Sequence, residues 1–394
     1  MLISKLKINY FPELSALLLG RAKPSMVSVN LTEKCNQNCI YCEIGKTLSP
    51  QHKDFLTKED LFWIIDQMSI NKLTRLSMCG GEPFLFCGII DVVAYAWENN
   101  IRCNITSNGM IVSDMKEAEL RILKDCKTAI NISVDSFEDT IQTQTRGVKL
   151  ALTNATKSIL RLQQMGIPVT VLSAISKYNY RDLYNSLVKA YELGIKQVLY
   201  QPIIYYSNYP DRQVIKDKSL LNVGIENVDI LMDQLEKINR FERKFKINTN
   251  VYRIIPWISS YIKGATGATS LNDNFFFNDV VNKFYCREVY AVIDIDYNGG
   301  IQPCGLSKAE INIYKNKDSG LFDLWSESTR NLKNELINNR YPDYCNGCCH
   351  KFSKNMLASV IKYPISNRTT FAKIFLLIIS RILSRLNKKL FIKK

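Results

Sequence analysis

Cys35-Asn36-Gln37-Asn38-Cys39-Ile40-Tyr41-Cys42 is the stretch that decides how this chain is read. Its three cysteines are separated by three residues and then by two. Thiolates are the usual ligands of iron–sulfur clusters, and a [4Fe–4S] cube takes four ligands. The loop offers three, so one iron is left open for something that is not protein. Just upstream, Met26-Val27-Ser28-Val29-Asn30-Leu31 reads as a buried strand, which puts the cysteines on a loop leaving a strand end. A small zinc site is the alternative. Zinc sites usually show cysteine pairs in matched sets, and no second pair or histidine lies nearby.

The chain of 394 residues is long enough for two or three domains and a sizeable core. Its twelve cysteines do not suggest an extracellular disulfide framework. They gather as Cys35/Cys39/Cys42 and Cys345/Cys348/Cys349, and Cys79, Cys87, Cys103 and Cys126 read as small buried residues. The apolar run Leu14–Leu19 is too short for a secretory signal, which points to a reducing cytosol where clustered thiols bind metal. The net charge of +15 is compatible with nucleic acid, a membrane surface or an acidic substrate. No nucleic-acid motif stands out, so that partner is ranked low. Ser366–Lys394 alone carries eight Lys or Arg and no acid.

From Met26 strands and helices alternate. Expected strands are Met26–Leu31, Leu73–Cys79, Ile101–Thr106, Ala129–Val134, Pro168–Ser173 and Gln197–Gln201. Thr57 is placed to cap a helix over Lys58–Met68. Helices near Leu150–Met165 and Arg181–Leu193 are followed by Gly166 and Gly194, fitting C-terminal stops. Six β–α units imply an α/β fold with a parallel sheet and outer helices, with chemistry at the C-terminal strand ends. Residues 215–284 read as mostly helical, with Val223–Phe241 the clearest helix, and serve as a linker or lid.

Three motifs fall at those strand ends. Gly80-Gly81-Glu82-Pro83 follows the second strand; its glycines let backbone approach a ligand, and its carboxylate can accept from an ammonium group. Thr106-Ser107-Asn108-Gly109 follows the third, and Ser133-Val134-Asp135-Ser136 the fourth. Each alone also fits an ordinary turn. Together with Cys-x3-Cys-x-aromatic-Cys, in which Tyr41 is the aromatic, they resemble the radical S-adenosylmethionine (SAM) enzymes. The resemblance implies a partial (β/α)6 TIM-like barrel with a [4Fe–4S] cluster on Cys35, Cys39 and Cys42. It implies that Gly80, Gly81 and Glu82 hold the SAM amino group, and that Asn108, Ser133, Asp135 and Arg146 line the SAM site. For Arg146 a solvated surface arginine is an equal alternative.

Near the end, Tyr290–Asp296 and Ile301–Pro303 flank Tyr297-Asn298-Gly299-Gly300, which reads as a β-hairpin. It brings Cys286 and Cys304 together, and Cys345 with Cys348 completes four thiolates. This pattern, with Leu321–Trp325 between its halves, resembles the shortened "twitch" form of the SPASM auxiliary domain. It implies one auxiliary [4Fe–4S] cluster, with a zinc ribbon as the alternative. Cys349 and His350 have no assigned role.

Phe371, Ile374, Phe375, Ile378, Ile382, Leu386 and Leu390 recur at helical spacing, with basic residues largely elsewhere on the wheel. This basic amphipathic tail is too short to span a bilayer and reads equally as a peripheral membrane contact or a packed helix. The organisation expected is therefore an extension over 1–24, a core over 25–214, the helical linker over 215–284, the auxiliary domain over 285–350 and the tail over 351–394.

The resemblance implies reductive cleavage of SAM to a 5′-deoxyadenosyl radical that takes hydrogen from a substrate, with a flavodoxin- or ferredoxin-type electron donor. The substrate class, whether small molecule, carbohydrate or peptide, is not legible. A peptide-modifying maturase is the alternative among enzymes, and a metal-binding scaffold is the alternative outside them. With only His52 and His350 in the chain, acid–base chemistry by histidine is disfavoured, and no catalytic base is named.

Overall fold

A computed structural model of the protein describes residues 24–42, 44, 56–203, 222–255, 258–265, 288–314, 319–337 and 342. Six strands lie side by side in chain order and run parallel: β1 (Met26–Asn30), β2 (Arg75–Cys79), β3 (Arg102–Ser107), β4 (Ala129–Ser133), β5 (Val169–Ile175) and β6 (Gln197–Pro202). Their alternation shows in the burial. Val27 and Val29, Leu76 and Met78, Cys103 and Ile105, and Ile130 and Ile132 are buried. Ser28, Ser77, Asn104 and Asn131, on the opposite face, are half-buried.

The helices between the strands cover that apolar face. They are α1 (Lys58–Ile70), α2 (Ile89–Glu98), α3 (Glu117–Asp125), α4 (Asp139–Arg146), α5 (Ala151–Gln164) and α6 (Leu183–Glu192). Thr57 caps α1 as expected, in a reciprocal box: its hydroxyl accepts from the Asp60 N–H at 3.2 Å, and the Asp60 carboxylate accepts from the Thr57 N–H at 3.0 Å. Gly166 and Gly194 follow α5 and α6 with φ of +74° and +78°, the left-handed stop that favours glycine. The β–α crossovers leave the sheet open, a partial barrel.

The linker region is helical in part. Here α7 (Val228–Phe245) begins five residues later than its apolar spacing suggests, because Ile225–Asn227 form a 3-10 turn first. After it come β7 (Asn248–Thr249), α8 (Val251–Ile254) and α9 (Ile258–Ala265). The two-residue β7 extends the parallel sheet beyond β6; it is too short to leave a period in the sequence. Phe241 and Phe245 of α7 pack on Tyr191 with ring centroids 5.5 and 5.3 Å apart.

The expected hairpin is present, as β8 (Val292–Ile295) and β9 (Gly300–Gln302), preceded by α10 (Glu288–Ala291) and followed by β10 (Ile311–Asn312) and α11 (Leu321–Ile337). The Asp296 carboxylate closes the turn, accepting from the Asn298 and Gly300 N–H groups at 2.9 and 2.8 Å. Beyond the hairpin itself, β8 pairs in parallel with β1, Met26 opposite Val292 and Val29 opposite Ile295. The C-terminal strands therefore continue the core sheet, in the order β10-β9-β8-β1-β2-β3-β4-β5-β6-β7. Trp325 of α11 donates its ring N–H to the Val292 carbonyl at 3.0 Å and carries the Lys333 ammonium 3.8 Å from a ring centroid. Among the described residues no helix is long and apolar enough to cross a membrane.

Candidate functional site

The cysteine loop leaves the C-terminal end of β1 and is tied down on both sides. On one side, Gly81 N–H donates to the Thr32 carbonyl at 2.6 Å and Glu82 N–H to the Lys34 carbonyl at 2.7 Å. A side chain at Gly81 would overlap the Lys34 carbonyl, so the glycine pair after β2 is what lets the two strand exits touch. On the other side, Asn38 N–H donates to the Arg146 carbonyl at 3.1 Å and Ile40 N–H to the Thr145 carbonyl at 3.0 Å. Gly147 has φ of +68°, and a Cβ there would overlap the Asn38 carbonyl. The end of α4 thus serves as the bed of the loop.

Glu82 is fully buried and faces inward. Its carboxylate accepts from Asn108 N–H at 2.8 Å, Ser107 Oγ at 2.9 Å and Phe84 N–H at 3.2 Å. Burial pushes its pKa up to about 7 against those three donors. In this arrangement Glu82 shapes the turn after β3. That turn carries Asn108, whose Nδ2 donates to Asn36 Oδ1 at 2.7 Å and reaches Cys35 Sγ at 3.8 Å.

Asp135, at the end of β4, is the meeting point of the other side. Its Oδ1 accepts from Arg146 Nη2 at 2.7 Å and from Ala174 N–H at 2.9 Å. Its Oδ2 accepts from the Tyr41 hydroxyl at 2.6 Å. Arg146 also lies over the Tyr41 ring at 5.6 Å and brings Nη1 within 4.0 Å of Cys39 Sγ. Arg146 is buried, which removes the surface alternative for it. Burial works against its charge; Asp135, then Tyr41 and Cys39, outweigh that and raise its pKa. Ser133 is half-buried one step earlier on β4, and its side chain takes no part in this network.

The sequence reading missed Gln142, Asn179 and Gln37. Gln142 is fully buried, and its amide oxygen accepts from Asp135 and Ser136 N–H at 2.8 and 3.3 Å. Asn179 donates to the Asp135 and Ala174 carbonyls at 2.8 and 2.9 Å. Both hold the turn after β4 from a distance in sequence, and no local spacing announces them. Gln37 lies inside the cysteine loop, where the spacing of the thiols assigns nothing to the residues between them.

Burial is the leading reason that the thiols of Cys35, Cys39 and Cys42 are hard to ionise; for Cys42, pushed up to about 11, the Cys39 sulfur adds to it. Cys39 is buried and Cys35 and Cys42 are half-buried, and thiols this close on one loop form a donor set suited to a cationic partner. A cube takes each thiolate on a different iron, and the three thiols of this one loop are donors of the kind it takes. Beside it opens a cavity of about 440 Å³, lined by Tyr41 and Arg146, by the ends of β5 and β6, and by Leu306 from beyond β9.

A sequence profile of the radical SAM superfamily matches residues 29–190. The chain carries a radical SAM domain. Its sequence is 24% identical to Fe-coproporphyrin III synthase of Methanosarcina barkeri over 57% of this chain and 54% of that one. The chain therefore spans about half of that relative's length. It is 21% identical to the antilisterial bacteriocin subtilosin biosynthesis protein AlbA of Bacillus subtilis, over 89% of this chain and 71% of that one. In fold it is similar to SuiB of Streptococcus suis bound to S-adenosylmethionine, with a TM-score of 0.61 at 16% identity, covering 90% of this chain and 79% of that one. SuiB has also been solved with its precursor peptide SuiA. The radical SAM domain thus includes Cys35, Cys39 and Cys42, the glycine pair, Asn108, Asp135 and Arg146 within its bounds.

The C-terminal site expected from the sequence falls only partly within the described residues. Cys304 follows β9, where its N–H donates to Ser307 Oγ at 3.0 Å and its sulfur-bearing side chain packs against Val289, Tyr290, Leu332 and Leu336. Cys286, Cys345, Cys348, Cys349 and His350 lie outside the described residues, as do His52 and the tail over 351–394. Of the remaining cysteines, Cys103 and Cys126 are buried as expected, whereas Cys79 is half-buried and Cys87 is exposed at the turn before α2. The correction has a local cause: Gly88 turns the chain there with φ of +85°, and Cys87 faces out.

Proposed function

We propose that this radical SAM superfamily enzyme removes a hydrogen atom from an organic substrate at the C-terminal ends of β1–β6. When bound, a [4Fe–4S] cluster supplies one electron to SAM, and SAM supplies methionine and the 5′-deoxyadenosyl radical. Cys35, Cys39 and Cys42 would hold the cluster. The glycine pair and Glu82 fix the loop's near side and the turn bearing Asn108. Asp135, Arg146 and Tyr41 fix its far side, and Arg146 and Tyr41 wall the cavity. Arg146, with its Nε buried and without a partner among the described residues, is the group placed to meet a ligand carboxylate in that cavity. One observation carries the reading: the cysteine loop is bonded to α4 at the same residue, Arg146, that closes on Asp135 and lines the cavity.

The test is SAM turnover by anaerobically reconstituted full-length protein with a chemical reductant. Wild type should release 5′-deoxyadenosine, and a variant with Cys35, Cys39 and Cys42 all changed to alanine should release none. Release by the triple variant would overturn the reading, as would zinc in place of iron in protein purified anaerobically with iron in excess.

A peptide substrate is the reading favoured by the two relatives that cover most of the chain, AlbA and SuiB. Transfer of deuterium from a labelled peptide into 5′-deoxyadenosine would support it; transfer only from a labelled carbohydrate or other small molecule would replace it. We further assign Cys304, with Cys286, Cys345 and Cys348, to an auxiliary [4Fe–4S] cluster. With all four ligands from protein it would accept the substrate electron or brace the hairpin. A ferredoxin- or flavodoxin-type protein would deliver the first electron.

A further inference from the structure

Gln37 sits between the first two cysteines and is 3% exposed. Its amide oxygen lies 3.6 Å from Cys39 Sγ, where the thiol donates to it. Its amide nitrogen is buried and has no partner among the described residues. A buried N–H group without a partner is costly, so such a group calls for a reason.

Ligation supplies one. A metal-bound thiolate has no proton and can only accept, so Cys39 as a ligand would face the Gln37 oxygen with like charge against like. The two ends of the amide have nearly the same shape, and the terminal torsion of glutamine is soft and roughly two-fold. A half-turn brings Nε2 to the place 3.6 Å from the sulfur now held by the oxygen. Among the described residues the vacated place offers no acceptor to repel an oxygen there. The turn exchanges an unpartnered donor for an N–H···S bond.

We propose that Gln37 is a positioning residue that donates an N–H···S hydrogen bond to the Cys39 ligand of the SAM-binding cluster and raises the cluster's reduction potential. This rests on the reading of Cys35, Cys39 and Cys42 as cluster ligands. Hydrogen bonds to ligand sulfur favour the more negative, reduced cluster. Gln37 does not act alone. Asn108 Nδ2 reaches Cys35 Sγ at 3.8 Å and Arg146 Nη1 reaches Cys39 Sγ at 4.0 Å. Gln37 differs from these two in that its amide nitrogen has no other partner among the described residues.

The experiment compares anaerobically reconstituted wild type with Gln37→Leu, which keeps the bulk and loses the donor. Iron and sulfide are counted first, and the cluster is then titrated potentiometrically by electron paramagnetic resonance. Gln37→Leu at full iron content should show a lower midpoint. At a fixed potential its ratio of reduced to oxidised cluster should fall roughly three- to tenfold, tenfold being 59 mV for one electron. Equal midpoints at equal iron content overturn the proposal. A wild type that binds no cluster overturns the underlying reading instead, so the two failures are distinct. If Gln37→Leu does not load, wild type labelled with 15N in the glutamine side chain decides the matter. A hyperfine coupling from that nitrogen to the reduced cluster supports the bond, and its absence overturns it.

Discussion

Arg146 and Asp135 form a buried ion pair at 2.7 Å, with side-chain exposures of 8% and 0%. Three donors satisfy the carboxylate, so the charge on Asp135 is matched by one cation and two hydrogen bonds. Breaking one side of such a pair strands the other charge, at a cost of about 3–5 kcal/mol. Asp135→Asn should therefore lower unfolding free energy by that order, measured by denaturant titration. Asp135→Leu combined with Arg146→Met should be less damaging than Asp135→Asn alone. A loss under about 1 kcal/mol for Asp135→Asn would mean that water reaches the pair.

Glu82 gives a pH signature. Its pKa rises from an ordinary 4.5 to about 7 on folding, through burial. Between those values the folded protein holds a proton that the unfolded chain has released. Stability from this group is thus complete below pH 4.5 and is lost as pH rises toward 7. Glu82→Gln should flatten that part of the stability–pH curve of the metal-free protein. An unchanged slope in the variant would show that the three donors keep Glu82 ionised throughout.

Gly147 tests the bed of the cysteine loop. Alanine there must take a φ of +68° and press on the Asn38 carbonyl. The strain should cost about 1–3 kcal/mol, and the loop is the part free to move. Gly147→Ala should keep the far-ultraviolet spectrum of the parallel core while binding less iron. Full iron binding with a wild-type melting transition would show that α4 yields in place of the loop.

Iron stoichiometry separates the two proposed centres. Two cubes hold about eight iron per chain. Cys304→Ala should remove about half of this and leave 5′-deoxyadenosine formation intact. If the auxiliary cluster receives the substrate electron, product formation should fail at the same time. A melting comparison guards against loss of the hairpin, since Cys304 also packs on Leu332 and Leu336. Loss of SAM cleavage in a folded Cys304→Ala protein would argue that the two centres are not independent.

Much of the sheet was legible because each strand carries its own record. The alternation of Val27 and Val29, or of Ile130 and Ile132, fixes strand limits to within a residue or two. The turn at Asn298-Gly299 likewise announced β8 and β9. What could not be read was set by long-range contact. Nothing near Val292 says that it will lie beside Met26, and nothing near Gln142 says that its amide will hold the turn after β4. Glu82 was placed correctly at a strand end. That its carboxylate faces the Ser107–Asn108 turn depends on packing between two strands, which composition does not record.

The pairing of β8 with β1 bears on how this protein can be cut. The first strand of the core has a neighbour on each side, β2 and β8. A fragment that ended after residue 190 would keep the superfamily match yet expose one whole edge of β1. Its unpaired N–H and C=O groups would form a flat, Val-rich template for strands of other molecules. Such a fragment should precipitate or pair with itself. The strand that carries the chain into its cysteine loop is completed only by β8, far later in the chain, so during synthesis that edge stays open until β8 has emerged.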